Sequence, residues 1–299
     1  MNDLISVVIP TYNRQHIILD AIESVENQSY INWEIVVVDD CSTDQTSDIL
    51  QNRDNINYIK LKKNKGNAGA RNVGVKISKG KYIVFLDSDD RMKKDCLEIF
   101  NELLQRLPDT LFAFGDHEVY NVENGIKKIS KWKPNPTISF LEELKIGTGC
   151  GIIVHRKCFD MIGMFDERLR VAVDTDWLIR LNKQISFRYI PEVLVTIYLH
   201  KGERVRNNKG ELIKSYEIIL EKNKEEIFRN PKLIRRFFYK LQWLNYHNND
   251  IKNGNNYFFK LLNKNGVNSK IFLIFLIFNL LPANLAQKIH MKLSGNKSI

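Results

Sequence analysis

Before Arg91 the chain carries four strand-like apolar runs with helical patterns between them, and this alternation constrains its fold more than any other feature. Ile5–Pro10 reads as a short buried strand stopped by proline, followed by the loop Thr11-Tyr12-Asn13-Arg14. His16–Gln28 then has helical spacing, with Ile17, Ala21, Ile22 and Val25 on one face. Trp33–Val38 is a second strand, ending in Asp39-Asp40, and Ser42–Thr46 caps a helix through Leu50. Asn57–Leu61 is a third strand. A helix opens at Asn67–Asn72 and runs to about Ser78. Tyr82–Leu86 is a fourth strand, ending at Asp87-Ser88-Asp89-Asp90. Strands alternating with helices specify an α/β fold, here a mostly parallel twisted sheet flanked by helices. In such sheets ligands bind beyond the carboxyl ends of the strands, where these polar clusters fall.

The later chain is less regular. Leu111–Phe114 reads as a strand, Ile138–Leu144 as a short helix, and Gly147–Gly151 as a loop. Ile152–Val154 is strand-like, Lys157–Ile162 and the segment from Asp174 are helical, and Phe187–Ile190 and Val193–Leu199 are late strands. After about Val205 the pattern turns to Lys- and Arg-rich helices over Lys214–Phe228 and Lys232–Tyr246. The division that follows is 1–204 for the α/β domain and 205–299 for a basic helical C-terminal region. The first splits into a donor part, 1–110, and an acceptor part, 111–204.

Charge is uneven. From Ile251 onward there are seven Lys and no Asp or Glu, whereas the rest is near balance with 38 basic and 35 acidic groups. Ile271–Leu281 is apolar except for Asn279 and stops at Pro282. As a helix it is roughly 16 Å long against a bilayer core of roughly 30 Å, too short to span but suited to lying in the interface. The expected partner of this tail is an anionic membrane surface, with burial against the domain as the alternative. Nucleic acid is not expected: Tyr257, Phe258 and Phe259 near Lys260 hint only weakly at a platform of interleaved basic and aromatic residues, and a membrane surface is preferred. No Cys pair has metal or redox spacing, and the N-terminus begins with a strand rather than a leader, which together fit a cytoplasmic protein.

Asp87, Asp89 and Asp90 crowd one strand end. Like charges at that spacing repel, and a divalent cation relieves this while bridging a diphosphate. A helix cap is the plainer reading of any one of them. A calcium loop is excluded, because Met92 occupies the position that needs glycine.

Ser6–Arg14, Val36–Asp44, Asn67–Asn72 and Phe85–Asp90, in this order and spacing, resemble family 2 glycosyltransferases with the GT-A fold. The resemblance covers about Leu4 to Lys201. It implies an inverting transferase that moves a sugar from a UDP-sugar to a glycan or lipid-linked acceptor in bacterial surface-polysaccharide synthesis, at the inner face of the membrane. It implies that Pro10, Thr11 and Tyr12 pack on the nucleotide base and that Asp39 bonds the uracil or ribose. Arg71, Asp87 and Ser88 would serve the rest of the donor, Arg71 near its diphosphate. Asp87 and Asp89 match the family's D-x-D motif and imply a Mn²⁺ or Mg²⁺ ligand set, Asp89 the more direct. His200 matches a late histidine that reaches metal or diphosphate. Asp174-Thr175-Asp176-Trp177 resembles a second acidic motif that usually reads Glu-Asp; Val173 stands where the Glu is expected. Asp174 falls on the general-base position, and Gly149, Asp176 and Trp177 on the acceptor side. Gly163–Glu167 also matches an acceptor-side segment. Two other readings are a sugar-phosphate nucleotidylyltransferase, disfavoured by the lack of a Gly-rich triphosphate loop after the first strand, and an inactive nucleotide-sugar-binding scaffold.

Overall fold

The computed structural model describes residues 3–132, 151–200, 208–264 and 266–293. The chain forms two compact units. One contains Met1–Glu167 and Val173–Gly202, and the other contains Arg168–Ala172 and Glu203–Ile299.

The first unit is built on a nine-stranded sheet. Strands β1 (Ile5–Thr11), β2 (Trp33–Asp39), β3 (Asn57–Lys60) and β4 (Tyr82–Phe85) pair in parallel in the order β3-β2-β1-β4. β1 is buried along its whole length, as an Ile- and Val-rich strand covered on both faces should be. Helices α1 (Ile18–Glu26), α2 (Thr46–Leu50) and α3 (Gly66–Ile77) connect these strands. α1 buries Ile18, Ala21, Ile22 and Val25, one residue off the expected face at its start.

Beyond β4 the sheet departs from the expected parallel pattern. β8 (Ile152–His155) runs antiparallel to β4, and β6 (Phe112–Asn121) antiparallel to β8. β9 (Arg188–Leu199) lies parallel to β6, and the short β5 (Arg91–Met92) antiparallel to β9. The sheet is therefore parallel from β1 to β4 and mixed after it. The two expected late strands are one strand. Its register jumps where Gly115 faces Ile190 but Asp116 faces Val193, so a bulge absorbs Pro191 and Glu192. β7 (Lys127–Ser130) hairpins onto β6 through Asn124-Gly125, with Gly125 at φ 68°. Helix α4 (Cys96–Arg106) buries Leu97, Phe100, Leu103 and Leu104 against the core, in a stretch from which no element was expected. α5 (Lys157–Ile162) and α6 (Val173–Asn182) complete the unit's described helices. The helix expected at 138–144, Gly149 and the 147–150 loop lie outside the described residues.

In the second unit the described helices are α7 (Lys209–Lys222), α8 (Lys224–Arg229), α9 (Pro231–His247), α10 (Ile251–Leu262), α11 (Ser269–Leu280) and α12 (Ala283–Leu293). The single helix expected over Lys214–Phe228 breaks at Asn223, a buried residue whose side chain donates to Ile219 O. α9 begins with Pro231 in its first turn, and the Asn230 side chain accepts from Lys232 N and Leu233 N. α11 turns Ile271, Ile274, Ile277 and Phe278 inward and leaves Phe272, Leu273 and Leu280 exposed. No helix among the described residues is long and apolar enough to cross a membrane.

Candidate active site

The site is assembled from the loops after β1, β2 and β4, at the carboxyl ends of adjacent parallel strands. The loops after β1 and β2 are laced together by side chains bonding to backbone. Asn13, in the left-handed region at φ 51°, donates its backbone N to Ser42 Oγ at 2.9 Å, while its side-chain oxygen accepts from Thr43 N at 2.8 Å. Arg14 N donates to Thr46 Oγ1, Gln15 N to Asp44 Oδ2, and Gln45 N back to Gln15 Oε1. Pro10 and Thr11 are buried in β1, and Tyr12 stands 45% exposed at the loop tip, available to an aromatic ligand.

Asp39 is fully buried. Its carboxylate accepts from Ser42 N at 2.8 Å and from the Tyr58 hydroxyl at 2.8 Å. Burial, with Asp39 adding to it, pushes the Tyr58 hydroxyl up to about 12, so it remains a donor. Asp40 crosses to the next element and accepts from Lys65 N at 2.6 Å and Gly66 N at 2.7 Å, where α3 starts. That places a carboxylate on two amides of a helix N-terminus, a favourable position for negative charge.

α3 then supplies Arg71 and Asn72. Arg71 is 4% exposed and lies over the rings of Phe85 and Phe165, at 5.5 Å and 5.9 Å. Its Nη2 donates to Asp87 Oδ1 at 2.7 Å. The acidic turn spreads its carboxylates in three directions. Asp87 meets Arg71. Asp89 lies 3.3 Å from His200 Nε2 and 3.8 Å from Arg14 Nη2. Asp90 is buried and accepts from Tyr198 N at 3.0 Å, which ties the turn to β9. Ser88 is buried between them. The expected crowding of three carboxylates is thus a pair, Asp87 and Asp89, with the third committed to the fold. Among the described residues no group of three or more His, Cys, Asp or Glu is arranged to hold a metal ion.

Asn72 anchors the segment around Phe165. Its amide donates to Phe165 O at 2.9 Å and Glu167 Oε1 at 3.1 Å and accepts from Phe165 N at 3.0 Å. Phe165 also packs on Trp177 of α6 at 5.3 Å, and the Trp177 indole donates to Gly163 O at 3.2 Å. Asp176 and Trp177 are both 0% exposed. Asp176 accepts from Arg180 Nε at 3.0 Å, and the Arg180 guanidinium reaches the carbonyls of Ile162 and Met164. Asp176 and Trp177 therefore support the 162–167 turn from behind. Asp174, one turn earlier, is half-buried, and its Oδ1 accepts from Thr175 N at 2.9 Å. Phe165 is the link: it carries Arg71 on one side and the Asp174 helix on the other.

Sequence reading did not anticipate Asn72 as that anchor, Asp40 as the cap of α3, or the lacing of the two loops. The Asn72 bonds span more than ninety positions and leave no local signal. The Asn13 contacts did leave one, since Asn tolerates a left-handed backbone and sits beside a Ser-Thr-Asp cluster only in space.

Residues 6–163 match the profile of Glycosyl transferase family 2. The chain is 31% identical over 250 residues to Escherichia coli WfaP, a UDP-Glc:alpha-D-GlcNAc-diphosphoundecaprenol beta-1,3-glucosyltransferase, covering 82% of this chain and 96% of that protein. It is 48% identical over 99 residues to TuaG of Bacillus subtilis, named for teichuronic acid biosynthesis, but this stretch spans only 32% of the chain and 39% of TuaG. S. aureus TarS 1–349, solved with UDP-GlcNAc, superposes with a TM-score of 0.64 at 18% identity, over 98% of this chain and 92% of TarS 1–349. The fold is thus the GT-A glycosyltransferase fold. By its profile match and by its near full-length likeness to WfaP, the chain belongs to glycosyl transferase family 2.

Proposed function

We propose that this family 2 glycosyltransferase transfers a sugar from a UDP-sugar to a lipid-linked or glycan acceptor in bacterial polysaccharide synthesis, with inversion at the anomeric carbon. The observation that carries the reading is the meeting of Arg71 with Asp87, and of Asp89 with His200 and Arg14, at the carboxyl end of β4. Opposite charges face each other there around a strand end where a diphosphate is expected to bind. The activity of WfaP, with a UDP-glucose donor and a β-linked product on a diphospholipid, supports the same class of donor, product and acceptor.

Asp87 and Asp89 fit a divalent ion that arrives with the donor rather than one caged by protein alone, because Mg²⁺ and Mn²⁺ are commonly held by one or two carboxylates plus substrate phosphates. His200 contacts Asp89 and would steady that carboxylate rather than complete a three-residue cage. What a bound ion supplies there is neutralisation of charge on the departing diphosphate. Arg71, resting on the packed pair Phe85 and Phe165, contributes positive charge to the same region without having to reorganise. Tyr12 offers a ring face to the base, with Pro10 and Thr11 as the floor. Asp39, buried and held by Ser42 and Tyr58, fixes the loop that meets the nucleoside. Asp174 takes the proton of the acceptor hydroxyl as its oxygen bonds the anomeric carbon and the bond to the UDP oxygen breaks. A hydroxyl is too weak an acid to ionise first, so the base must act during attack. One displacement of an α-linked donor yields a β-linked product. Gly149 is assigned to the acceptor side by resemblance alone.

The C-terminal unit is proposed to touch the inner face of an anionic membrane. Exposed Phe272, Leu273 and Leu280 on α11 accompany a stretch with seven Lys and no acid.

The test is calorimetric titration of UDP-, GDP-, CMP- and dTDP-sugars with Mn²⁺, with Mg²⁺ or with EDTA, on the natural chain and on Asp89→Ala. One UDP-sugar should bind with metal, and Asp89→Ala should weaken it by about tenfold or more, equivalent to about 1.4 kcal/mol. Equal affinity of both proteins with and without metal would remove Asp89 from the donor site.

A further inference from the structure

The turn from Ile162 to Glu167 is held by two helices. On α6, the Arg180 guanidinium donates to Ile162 O and, at 2.8 Å, to Met164 O, and the Trp177 indole donates to Gly163 O at 3.2 Å. On α3, a single side chain takes over where these stop. Asn72 accepts from Phe165 N at 3.0 Å and donates to Phe165 O at 2.9 Å and to Glu167 Oε1 at 3.1 Å. Three consecutive carbonyls thus bond to α6, and the next residue bonds to α3 through both of its backbone groups.

Burial makes this division rigid. Asn72, Phe165, Asp176 and Trp177 are all buried. Where water cannot replace a lost partner, an unmade bond carries its full desolvation cost, so the paired geometry is strongly preferred. An amide suits position 72 because it offers one acceptor and two donors in a single plane, which neither a hydroxyl nor a carboxylate does. Each helix also carries, beside its anchor, a residue proposed for the transfer. Arg71 precedes Asn72 on α3, and Asp174 stands about one turn before Trp177 on α6. Arg71 has its own hold on the Phe85 ring and on Asp87, separate from the bonds of Asn72. The turn is what joins α6 to α3 by these bonds, so loosening it moves the Asp174 side and leaves the Arg71 side in place.

We infer that Asn72 is a positioning residue for the transfer step: through Phe165 and the turn it sets where Asp174 stands relative to Arg71 and the donor phosphates. It touches neither the donor nor the reacting atoms. The inference rests on the proposed roles of Arg71 and Asp174 and adds the part that fixes the distance between them. A displacement of roughly 1 Å in a reacting group can cost roughly a hundredfold in rate, so a bond remote from the chemistry can govern it.

Two variants of the full chain test it, at a temperature where circular dichroism shows them folded. Asn72→Ala removes all three bonds. Asn72→Asp is isosteric and keeps the oxygen that accepts from Phe165 N, but turns a carboxylate towards Phe165 O and Glu167; it decides the matter if Asn72→Ala does not fold. Turnover is read as UDP release from UDP-glucose with Mn²⁺, with water or with GlcNAc-diphosphoundecaprenol, the acceptor of WfaP. In Asn72→Asp, turnover should fall about tenfold or more while affinity for UDP-glucose stays within about threefold. In an Asp174→Asn background the same change should cost less than about twofold further, because a base already removed cannot be misplaced. A further tenfold loss in that background, or a loss of donor affinity as large as the loss of turnover, would overturn the inference and leave Asp174 as the base. Transfer at the natural rate by Asp174→Asn alone would instead reject the base, and the role of Asn72 with it. Hydrogen exchange reads the same link without an acceptor. The α6 amides from Trp177 onward should exchange about tenfold faster or more in Asn72→Asp, with those of β1 unchanged. Unchanged exchange in α6 would overturn the inference.

Discussion

Asp39 turns inward to Ser42 N and the Tyr58 hydroxyl, whereas its neighbour Asp40 reaches across to the amides that open α3. In the sequence both are simply acids at the end of an apolar strand. The same holds for Asp87, Asp89 and Asp90, of which the last is committed to Tyr198 N. Strand ends and acidic clusters are legible because they depend on local pattern. Which carboxylate faces a ligand and which holds the fold depends on partners from 16 to more than 100 positions away, such as Arg71, Tyr198 and His200. Asp174 lends itself to a test at this scale. Asn keeps the oxygen that accepts from Thr175 N, so Asp174→Asn should retain the fold and its donor affinity. Its turnover should fall by about a hundredfold or more, the usual range for a lost general base. A rate within a few-fold of the natural enzyme would move the base elsewhere.

At the scale of elements, the donor half was read nearly strand by strand, because parallel strands covered on both faces are continuous apolar runs. After β4, the strand β8 and the helices α5 and α6 are legible at nearly their observed bounds, and the elements that are not have identifiable reasons. The second half of β6 and all of β7 are partly exposed and carry little apolar pattern, and the local signal of their hairpin is Asn124-Gly125. β9 is divided in appearance by Pro191, which a bulge accommodates. α3 shows how tightly the donor half is packed. A Cβ on Gly74 would run into Val8 Cγ1 on β1 and come within 3.4 Å of Val38 Cγ2 on β2. Helix propensity alone favours Ala over Gly by about 1 kcal/mol, but overpacking costs about 1–3 kcal/mol. Gly74→Ala should therefore lower stability in urea melts, by about 1 kcal/mol. A stabilised variant would mean that α3 can lift off β1 freely.

For the molecule as a whole, four of its six histidines are held below their ordinary range by burial above all: His117, His155, His247 and His290. His247 and His290 lie 2.8 Å apart, and both are lowered to about 4. Lys270 adds to the effect on His290, and His290 and Lys209 add to that on His247. Between pH 6.5 and about 4 the unfolded chain takes up protons that the folded pair refuses, so stability falls as pH falls through that window. Above about pH 7 this contribution is flat. The melting temperature should decline from pH 7 to pH 5, and His290→Gln should flatten that decline. An unchanged slope in the variant would assign acid sensitivity to other groups.

The short segment Arg168–Ala172 belongs to the second unit although residues of the first unit flank it on both sides. Val171 is bedded among Leu212, Trp243 and Leu244, three positions before Asp174. The halves of this enzyme are consequently not interchangeable cassettes. A natural or laboratory recombination that joined this chain to a relative's tail near residue 203 would keep every residue proposed for the donor site, yet hand Val171 a foreign bed. Inheritance of the tail and of the stretch leading into Asp174, the proposed base, should therefore travel together, and chimaeras should recover activity only when 168–172 is exchanged along with the tail.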